Sequence, residues 1–272
     1  MGLVLFGIGS ALSHPALGAV GPPPSDYGFE PVRMATSKGQ SIAGWRINGK
    51  AGAGVVLLLH GVRGNRLDML ARATMLARLD YSVLLIDLPG HGESAAEHIT
   101  FGFNEADGVR AALDYLARTM PAEKIGVIGV SLGAASFVLA DARVIPSAVI
   151  LESMYPTITE AVTDRMRVHL GPAAAPLAPL LLWQLPMRLG CSADQLRPID
   201  RMASIHVPLL VLGGAADQHT TLAETQRIFA AANAPKALWI VDGAGHVDLH
   251  AYNRAAYEAT VLPFLARYLR AR

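Results

Sequence analysis

Residues 125–135 read Ile-Gly-Val-Ile-Gly-Val-Ser-Leu-Gly-Ala-Ala, a short apolar run that passes through Gly-x-Ser-x-Gly into small residues. The apolar part predicts a buried strand, and the small residues 134–142 predict a helix. Gly129 and Gly133 suit a sharp turn whose neighbours pack too closely for a Cβ atom. The order strand, turn and helix predicts that Ser131 lies at the tip of a nucleophile elbow. The alternative interpretation is an ordinary turn with a helix-capping serine.

Composition limits the classes of protein that this chain can belong to. The 272 residues are 52% hydrophobic and 17% charged, which is enough apolar material for one large domain. The net charge is +1, so a nucleic acid is not an expected partner. Cys191 is the one cysteine, which excludes an intrachain disulfide and any metal cluster built from cysteines. Its simplest interpretation is a small packing residue.

The N-terminus carries an apolar run at residues 3–12, followed by a proline-rich linker at residues 21–25. The run is shorter than the roughly 20 residues that span a bilayer. It resembles the hydrophobic region of a signal peptide, and small residues follow at 16–18, but the usual basic region is missing. Two interpretations stay open. One is export or membrane attachment through residues 3–20, and the other is a segment folded onto the domain of a cytoplasmic protein.

Strands and helices alternate along most of the chain, which predicts right-handed crossovers and a doubly wound, mostly parallel sheet. Two strands with a short turn between them predict an antiparallel hairpin at the sheet edge, at residues 29–35 and 42–47. Apolar runs predict further strands at residues 55–59, 81–86, 125–130, 148–151, 207–214 and 238–241. Helical spacing predicts helices at residues 67–79, 104–118, 134–142, 222–232 and 255–268.

Residues 153–204 interrupt this alternation with prolines among many leucines. The segment is too long for an ordinary connection and too apolar for a disordered linker. We interpret it as a helical cap over the sheet edge that carries the site, and helices that only cover the core are the alternative. The predicted organisation is an N-terminal segment and linker at 1–25, a core at 26–152 and 205–272, and the cap at 153–204.

A serine hydroxyl needs a base to take its proton, and the base needs a carboxylate to orient it. Asp217 follows the strand that ends in Gly213-Gly214, and His246 follows the last strand. The order Ser131, Asp217, His246 matches nucleophile, acid and base in one large class of hydrolases. Each residue lies beyond the carboxyl end of a different strand, and such ends line the ligand crevice of an open sheet. We therefore predict that these three residues are catalytic.

Each member of this set except the serine has a rival. Glu152 ends the strand after Ser131 and is the alternative acid, although the pattern places the acid later in the chain. His246 is preferred as the base because Gly245 gives its loop the freedom to present the imidazole. The other histidines near strand ends or loops are His60, His91, His219 and His250.

The developing oxyanion needs two N–H donors. Leu132 supplies one as the residue after the nucleophile, and the loop after the strand at 55–59 supplies the other. Val62 is the predicted donor of that loop, with Arg63 as the second choice, and His60 is expected to brace the loop. The Arg63 guanidinium has two possible partners, a substrate carboxylate or solvent, and both remain open. The predicted substrate-binding residues are His60, Arg63, Tyr155, Trp183 and Met187.

Five motifs stand in the order of one known family. They are His60-Gly61-Val62-Arg63-Gly64-Asn65, Asp87-Leu88-Pro89-Gly90-His91-Gly92-Glu93-Ser94, Gly129-Val130-Ser131-Leu132-Gly133, Asp217 and Gly245-His246. Over residues 29–270 the chain resembles the serine hydrolases of the α/β-hydrolase fold. It is similar to their Bem46-like and serine-aminopeptidase-like branch, whose members often carry an N-terminal membrane segment.

The resemblance implies the α/β-hydrolase fold, with an eight-stranded, mostly parallel sheet, flanking helices and a helical cap. It also implies a Ser-His-Asp mechanism without a cofactor or a metal. It does not imply one substrate, because the fold hosts many reactions. Serine at 131 disfavours dehalogenases and epoxide hydrolases, which use aspartate there. The expected function is hydrolysis of a small-molecule carboxylic ester with an apolar group. An aminopeptidase or amidase is the runner-up, and a non-catalytic binding protein is the third hypothesis.

Overall fold

Eight strands form the main sheet in the computed structural model, which describes residues 2–171 and 177–271, without the side chains of residues 2–5, Asp26 and His169. The strands are β1 Ala16–Leu17, β2 Glu30–Ala35, β3 Ser41–Ile47, β4 Val55–Leu59, β5 Ser82–Ile86, β6 His91–Gly92, β7 Ile125–Val130, β8 Ala148–Glu152, β9 Leu209–Gly214 and β10 Lys236–Val241. The helices are α1 Gly2–Ser13, α2 Leu70–Ala77, α3 Glu105–Thr119, α4 Leu132–Ala140, α5 Ile158–Leu170, α6 Ala178–Leu182, α7 Leu185–Leu189, α8 Leu222–Ala231, α9 Leu249–Tyr252 and α10 Arg254–Leu269.

The strand order of the main sheet is β10-β9-β8-β7-β4-β5-β3-β2. Neighbouring strands are parallel except in the β2–β3 and β3–β5 pairs. The predicted eight-stranded, mostly parallel sheet is therefore confirmed, and the predicted hairpin lies at its edge.

Both faces of the sheet are covered, which explains why its central strands are apolar along their whole length. Leu57 and Leu59 of β4 join a core with residues of α3, α4 and α8. Val56 and Leu58, on the opposite face of the same strand, join a second core with residues of α2 and α10. The sheet is thus a layer packed on both faces, and the loops that carry the predicted site residues lie at the carboxyl ends of its parallel strands.

Two helices begin two or more residues away from their predicted starts. The predicted helix at 67–79 opens with a 3₁₀ turn at Arg66–Met69, so that α2 begins only at Leu70. Helix α4 begins at Leu132, two residues before the predicted start, because the elbow leads into it without a linker.

The N-terminal segment is folded onto the domain. Helix α1 packs against α6, and β1 pairs in parallel with β6 in a second, two-stranded sheet. Flanking bonds extend this pairing, since Ala16 N–H donates to Gly90 O at 2.8 Å and Gly18 N–H donates to Gly92 O at 3.0 Å. This is the arrangement that the folded-segment interpretation predicts. Within residues 2–171 and 177–271, no helix has both the length and the apolar character needed to cross a membrane.

Among its described residues, the segment predicted as the cap contains α5, α6, α7 and 3₁₀ turns at Ala193–Gln195 and Pro198–Ser204. Its residues 172–176 lie outside the described part of the chain. A small apolar cluster holds the helices together, formed by Ile158, Leu185, Leu189, Cys191 and Leu196. Cys191 is buried in this cluster, as a packing residue would be.

Candidate active site

Ser131 occupies a strained turn between β7 and α4. Its φ is 49° and its ψ is −108°, a conformation that costs a non-glycine residue about 1–3 kcal/mol. A Cβ atom on Gly133 would lie 2.5 Å from the carbonyl oxygen of Leu59, and one on Gly129 would lie 2.7 Å from the Cα of Ala134. Both glycines are therefore required by close backbone contacts, and the turn has the geometry of a nucleophile elbow.

Asp217 and His246 form a hydrogen-bonded pair, with 2.8 Å between Asp217 Oδ2 and His246 Nδ1. Oδ1 accepts the N–H groups of His219 at 2.8 Å and Thr220 at 2.9 Å, and Oδ2 also accepts the Thr220 hydroxyl at 2.8 Å. Burial alone would raise the pKa of Asp217, but its bonds to His246 and Thr220 outweigh burial and lower the pKa below its usual value. The carboxylate is thus ionised at neutral pH and fixed in place.

A close contact between two loops sets the position of this pair. A Cβ atom on Gly214, at the end of β9, would lie 2.3 Å from the carbonyl oxygen of Ala244. Ala216 N–H donates to the same carbonyl at 2.8 Å, which ties the Asp217 loop to the loop that carries His246. Gly245 has open space around its Cβ position and does not need a positive φ. The expectation that Gly245 provides the needed freedom is wrong, because Gly214 supplies the close approach instead.

Ser131 and His246 line one cavity of about 420 Å³ at the carboxyl edge of the sheet. Its wall includes the loop after β4, the start of α4, helix α5 and helix α1, together with residues of α6 and of the loops that follow β8, β9 and β10. Ile8 and Leu12 are the α1 residues that reach it. The apolar lining residues are Ile8, Leu12, Val62, Phe101, Leu132, Tyr155, Ile158, Ala161, Val162, Met166, Leu170 and Leu181. The cavity is thus suited to an apolar group held beside a serine and an imidazole.

The two predicted oxyanion donors flank Ser131. Leu132 is the first residue of α4, where backbone N–H groups have no carbonyl partner within the helix. A Cβ atom on Gly61 would lie 3.8 Å from Ser131 Cβ, so the loop that carries Val62 runs directly past the serine. Val62 and Leu132 both line the cavity.

His60 is fully buried and does not line the cavity, which corrects its prediction as a substrate contact. Its Nε2 accepts the N–H of Leu88 at 3.0 Å, so Nδ1 carries the proton and donates to the carbonyl of Gly61 at 2.7 Å. Burial, followed by the neighbouring His91, lowers the pKa of His60 to about 3. The neutral imidazole braces the loop after β4.

Trp183 and Met187 are also misplaced by the prediction, since neither lines the cavity and their side chains are 73% and 80% exposed. The short helices α6 and α7 turn Leu181 and Leu185 inward, which leaves 183 and 187 on the outer face. Arg63 and Tyr155 do line the cavity. The Tyr155 hydroxyl donates to the carbonyl of Phe101 at 2.7 Å, so its ring is held in the wall.

Comparison with known proteins agrees with this architecture. Residues 56–260 match the model of the "Alpha/beta hydrolase family". The chain belongs to this family. Among curated relatives, uncharacterized protein YqkD of Bacillus subtilis (strain 168) is 27% identical over 246 residues, covering 89% of this chain and 77% of that protein. Uncharacterized protein Rv2307c of Mycobacterium tuberculosis is 30% identical over 238 residues, covering 85% of this chain and 78% of that protein.

Solved structures of similar fold include esterases. The Pyrococcus furiosus esterase Pf2001 superposes with a TM-score of 0.77 at 22% identity, covering 94% of this chain and 99% of that chain. The esterase EaEST of Exiguobacterium antarcticum superposes with a TM-score of 0.65 at 15% identity, covering 87% and 99%. At these identities the likeness establishes the fold of this alpha/beta hydrolase.

Some residues of the hydrolase site were not found from the sequence. Thr220 follows Asp217 by three residues, a spacing typical of turns in which an aspartate accepts local N–H groups, and this could have pointed to it. The residues of α5 that line the cavity recur at helical spacing, at positions 158, 161, 162, 165 and 166. This spacing could have identified the face of α5 that borders the cavity. In the described part of this hydrolase, no group of three or more His, Cys, Asp or Glu side chains could hold a metal ion.

Proposed function

We propose that this alpha/beta hydrolase cleaves carboxylic esters with an apolar acyl or alcohol group through an acyl-enzyme. The observation that carries the proposal is the bonded Asp217–His246 pair, whose imidazole shares an apolar cavity with Ser131. The esterase fold neighbours support the same reaction class. The narrower assignment to the Bem46-like or serine-aminopeptidase-like branch stays a prediction from the motifs.

The first half of the proposed reaction forms the acyl-enzyme. Ser131 Oγ attacks the acyl carbonyl carbon while His246 Nε2 accepts the hydroxyl proton. Asp217 holds Nδ1 and stabilises the imidazolium. The backbone N–H groups of Leu132 and Val62 donate to the oxyanion of the tetrahedral intermediate, which collapses as His246 returns its proton to the leaving alcohol.

The second half regenerates the enzyme. His246 removes a proton from water, which attacks the acyl carbonyl of the ester on Ser131. The second tetrahedral intermediate uses the same two N–H donors. It collapses to the carboxylic acid, and His246 returns the proton to Ser131 Oγ.

The cavity lining favours esters over aminopeptidase substrates. An aminopeptidase must hold a free, charged amino terminus, for which a carboxylate is the natural partner. Of the described residues that line the cavity, none is acidic. The charged side chains there are instead the guanidinium groups of Arg63 and Arg165.

Two assays test the proposal. Turnover of nitrophenyl acyl esters of graded chain length should exceed turnover of aminoacyl-nitroanilides, and activity on the anilides alone would establish the aminopeptidase or amidase alternative. A fluorophosphonate probe should label the wild-type protein and not Ser131→Ala. A folded wild-type protein that neither reacts with the probe nor turns over either substrate class would instead be a binding protein on a hydrolase fold.

A further inference from the structure

One face of α5 forms a wall of the active-site cavity and is apolar except at a single position. Its apolar members are Ile158, Ala161, Val162, Met166 and Leu170, and the exception is Arg165. Arg165 is exposed although it borders the cavity, so its side chain is not held in place by packing. Its guanidinium is therefore available to whatever occupies the cavity.

The remaining charges of α5 point elsewhere and are paired. Asp164 bonds Arg167 at 2.9 Å, and Glu160 bonds Arg227 of α8 at 2.5 Å. Within the described part of the chain, Arg165 has no hydrogen-bond, ion-pair or aromatic partner. The α5 carboxylates are thus engaged away from the cavity, while Arg165 keeps five unused N–H donors.

The second cation of the cavity, Arg63, is already occupied. Its guanidinium donates to the backbone carbonyl of Ala11 on α1, a neutral acceptor that leaves the positive charge uncompensated. Since no described lining residue is acidic, the cavity combines two positive charges with low-dielectric walls, which concentrates the positive potential there.

Position along α5 indicates how far Arg165 lies from the buried end of this helix. Ile158 is buried at the inner end of the helix, and Arg165 follows seven residues later on the exposed half. A rise of 1.5 Å per residue separates the two by about 10 Å along the axis. A ligand group bound by Arg165 is therefore separated from the site's inner end by an apolar spacer.

We propose that Arg165 is a specificity-determining residue that binds an anionic group of the ester substrate, at the far end of its apolar part. This inference rests on the proposed ester hydrolysis and narrows its substrate class to amphipathic esters with a carboxylate, sulfonate or phosphate end. Guanidinium is suited to all three, because its paired N–H groups match two oxygens of one anion.

The test compares matched esters that differ only in charge. One arm places the charge on the acyl end, with mono-nitrophenyl esters of adipate, suberate and sebacate against nitrophenyl hexanoate, octanoate and decanoate. A second arm places it on the leaving group, with octanoyloxy-nitrobenzenesulfonate against nitrophenyl octanoate. The arm that responds identifies which end of the substrate faces α5.

In Arg165→Gln we expect KM for the anionic esters of one arm to rise about fivefold, while kcat for these esters changes by less than about twofold. Both kcat and KM for all neutral esters should also change by less than about twofold. Arg165→Lys should recover most of the loss, and Arg165→Glu should raise KM further while improving turnover of choline esters. The wild-type preference for the charged ester should weaken at high salt, because exposed charge pairs are screened. The matched control is Arg167→Gln, on the same helix and already paired with Asp164, which should leave the charge preference intact.

Equal KM changes for charged and neutral esters in Arg165→Gln, or no response in either arm, would overturn the role of Arg165 while leaving ester hydrolysis in place. Absence of turnover of the neutral nitrophenyl esters by the wild type is a different result, because it contradicts the proposed function itself.

Discussion

Arg72 and Glu152 form a buried ion pair, with 2.8 Å between Nη2 and Oε2 and each side chain 1% exposed. Arg72 also contacts Asp248 at 2.7 Å, and the Tyr257 hydroxyl donates to Glu152. Glu152 stands at the end of β8, next to the elbow, where the sequence made it the alternative acid. Its partners show that this carboxylate stabilises the core, whereas Asp217 is the carboxylate bonded to His246.

Loss of charge should therefore affect catalysis at Asp217 and stability at Glu152. Asp217→Asn should lower kcat on nitrophenyl butyrate by about 10³–10⁴-fold, because the imidazole loses its orienting and stabilising anion. Glu152→Gln should lower the free energy of unfolding by about 2 kcal/mol, since the buried guanidinium charge of Arg72 then has only Asp248 as an anionic partner among the described residues. The value of kcat per folded molecule should stay within a few-fold of the wild type. The measurements are steady-state kinetics and urea denaturation of both variants. A loss of kcat confined to Glu152→Gln would make Glu152 the acid.

The loop contact at Gly214 predicts a contrast between two neighbouring glycines. Gly214→Ala places a Cβ atom 2.3 Å from the carbonyl of Ala244 and pushes the Asp217 and His246 loops apart. We expect a loss of stability of about 1–3 kcal/mol together with a clear fall in kcat. Gly245→Ala is the control, because nothing lies near its Cβ position. Thermal unfolding and esterase assays check both, and an equal fall in kcat for the two variants would contradict the account of the loop contact.

The contribution of α1 to the cavity predicts an effect on acyl-chain length. Leu12 lines the cavity, so Leu12→Trp should fill part of the space for an acyl chain. We expect kcat/KM for nitrophenyl decanoate to fall about tenfold, and that for the butyrate to change less than about twofold, since the fit of a single methylene in an apolar pocket is worth about 1–3 kcal/mol. Ser10→Trp, at an exposed position of the same helix, should leave the chain-length profile unchanged. A similar profile in both variants would show that α1 does not limit the site.

Buried neutral histidines predict how stability depends on pH. The pKa of His60 is about 3 in the folded protein and about 6.5 when unfolded, so between these values only the unfolded state binds the proton. His60 should thus make stability fall as pH drops below about 6.5, by up to about 1.4 kcal/mol per pH unit. Burial also lowers the pKa values of His91 and His250, which act in the same direction.

The control for this pH effect is His60→Gln, which keeps one donor and one acceptor but cannot titrate. It should be less stable than the wild type at pH 7 and lose stability less steeply between pH 6.5 and pH 5, a range above the titration of ordinary carboxylates. Urea denaturation at several pH values gives both slopes. Equal slopes would remove His60 from the explanation.

Local patterns were sufficient to predict the elbow and the layout of the sheet. An apolar run that ends in Gly-x-Ser-x-Gly specifies its own strand, turn and helix, because each depends on neighbours within a few residues. The edge hairpin at β2 and β3 and the order Ser131, Asp217, His246 follow from the same kind of information. The identity of the cap residues that face the site could not be predicted in this way, since short helices interrupted by prolines give weak periodicity.

Patterns within single segments were enough to specify the succession of strands and helices, and hence the sheet edge at which Ser131, Asp217 and His246 emerge. The packed fold was needed to show which carboxylate bonds the imidazole, and that α1 and α5 form walls of the cavity while Trp183 and Met187 point outward. The difference lies in the range over which the underlying interactions act. Backbone preferences and apolar periodicity act within a segment, whereas the pairing of Glu152 with Arg72 or the docking of α1 depends on packing between segments that are distant in the chain.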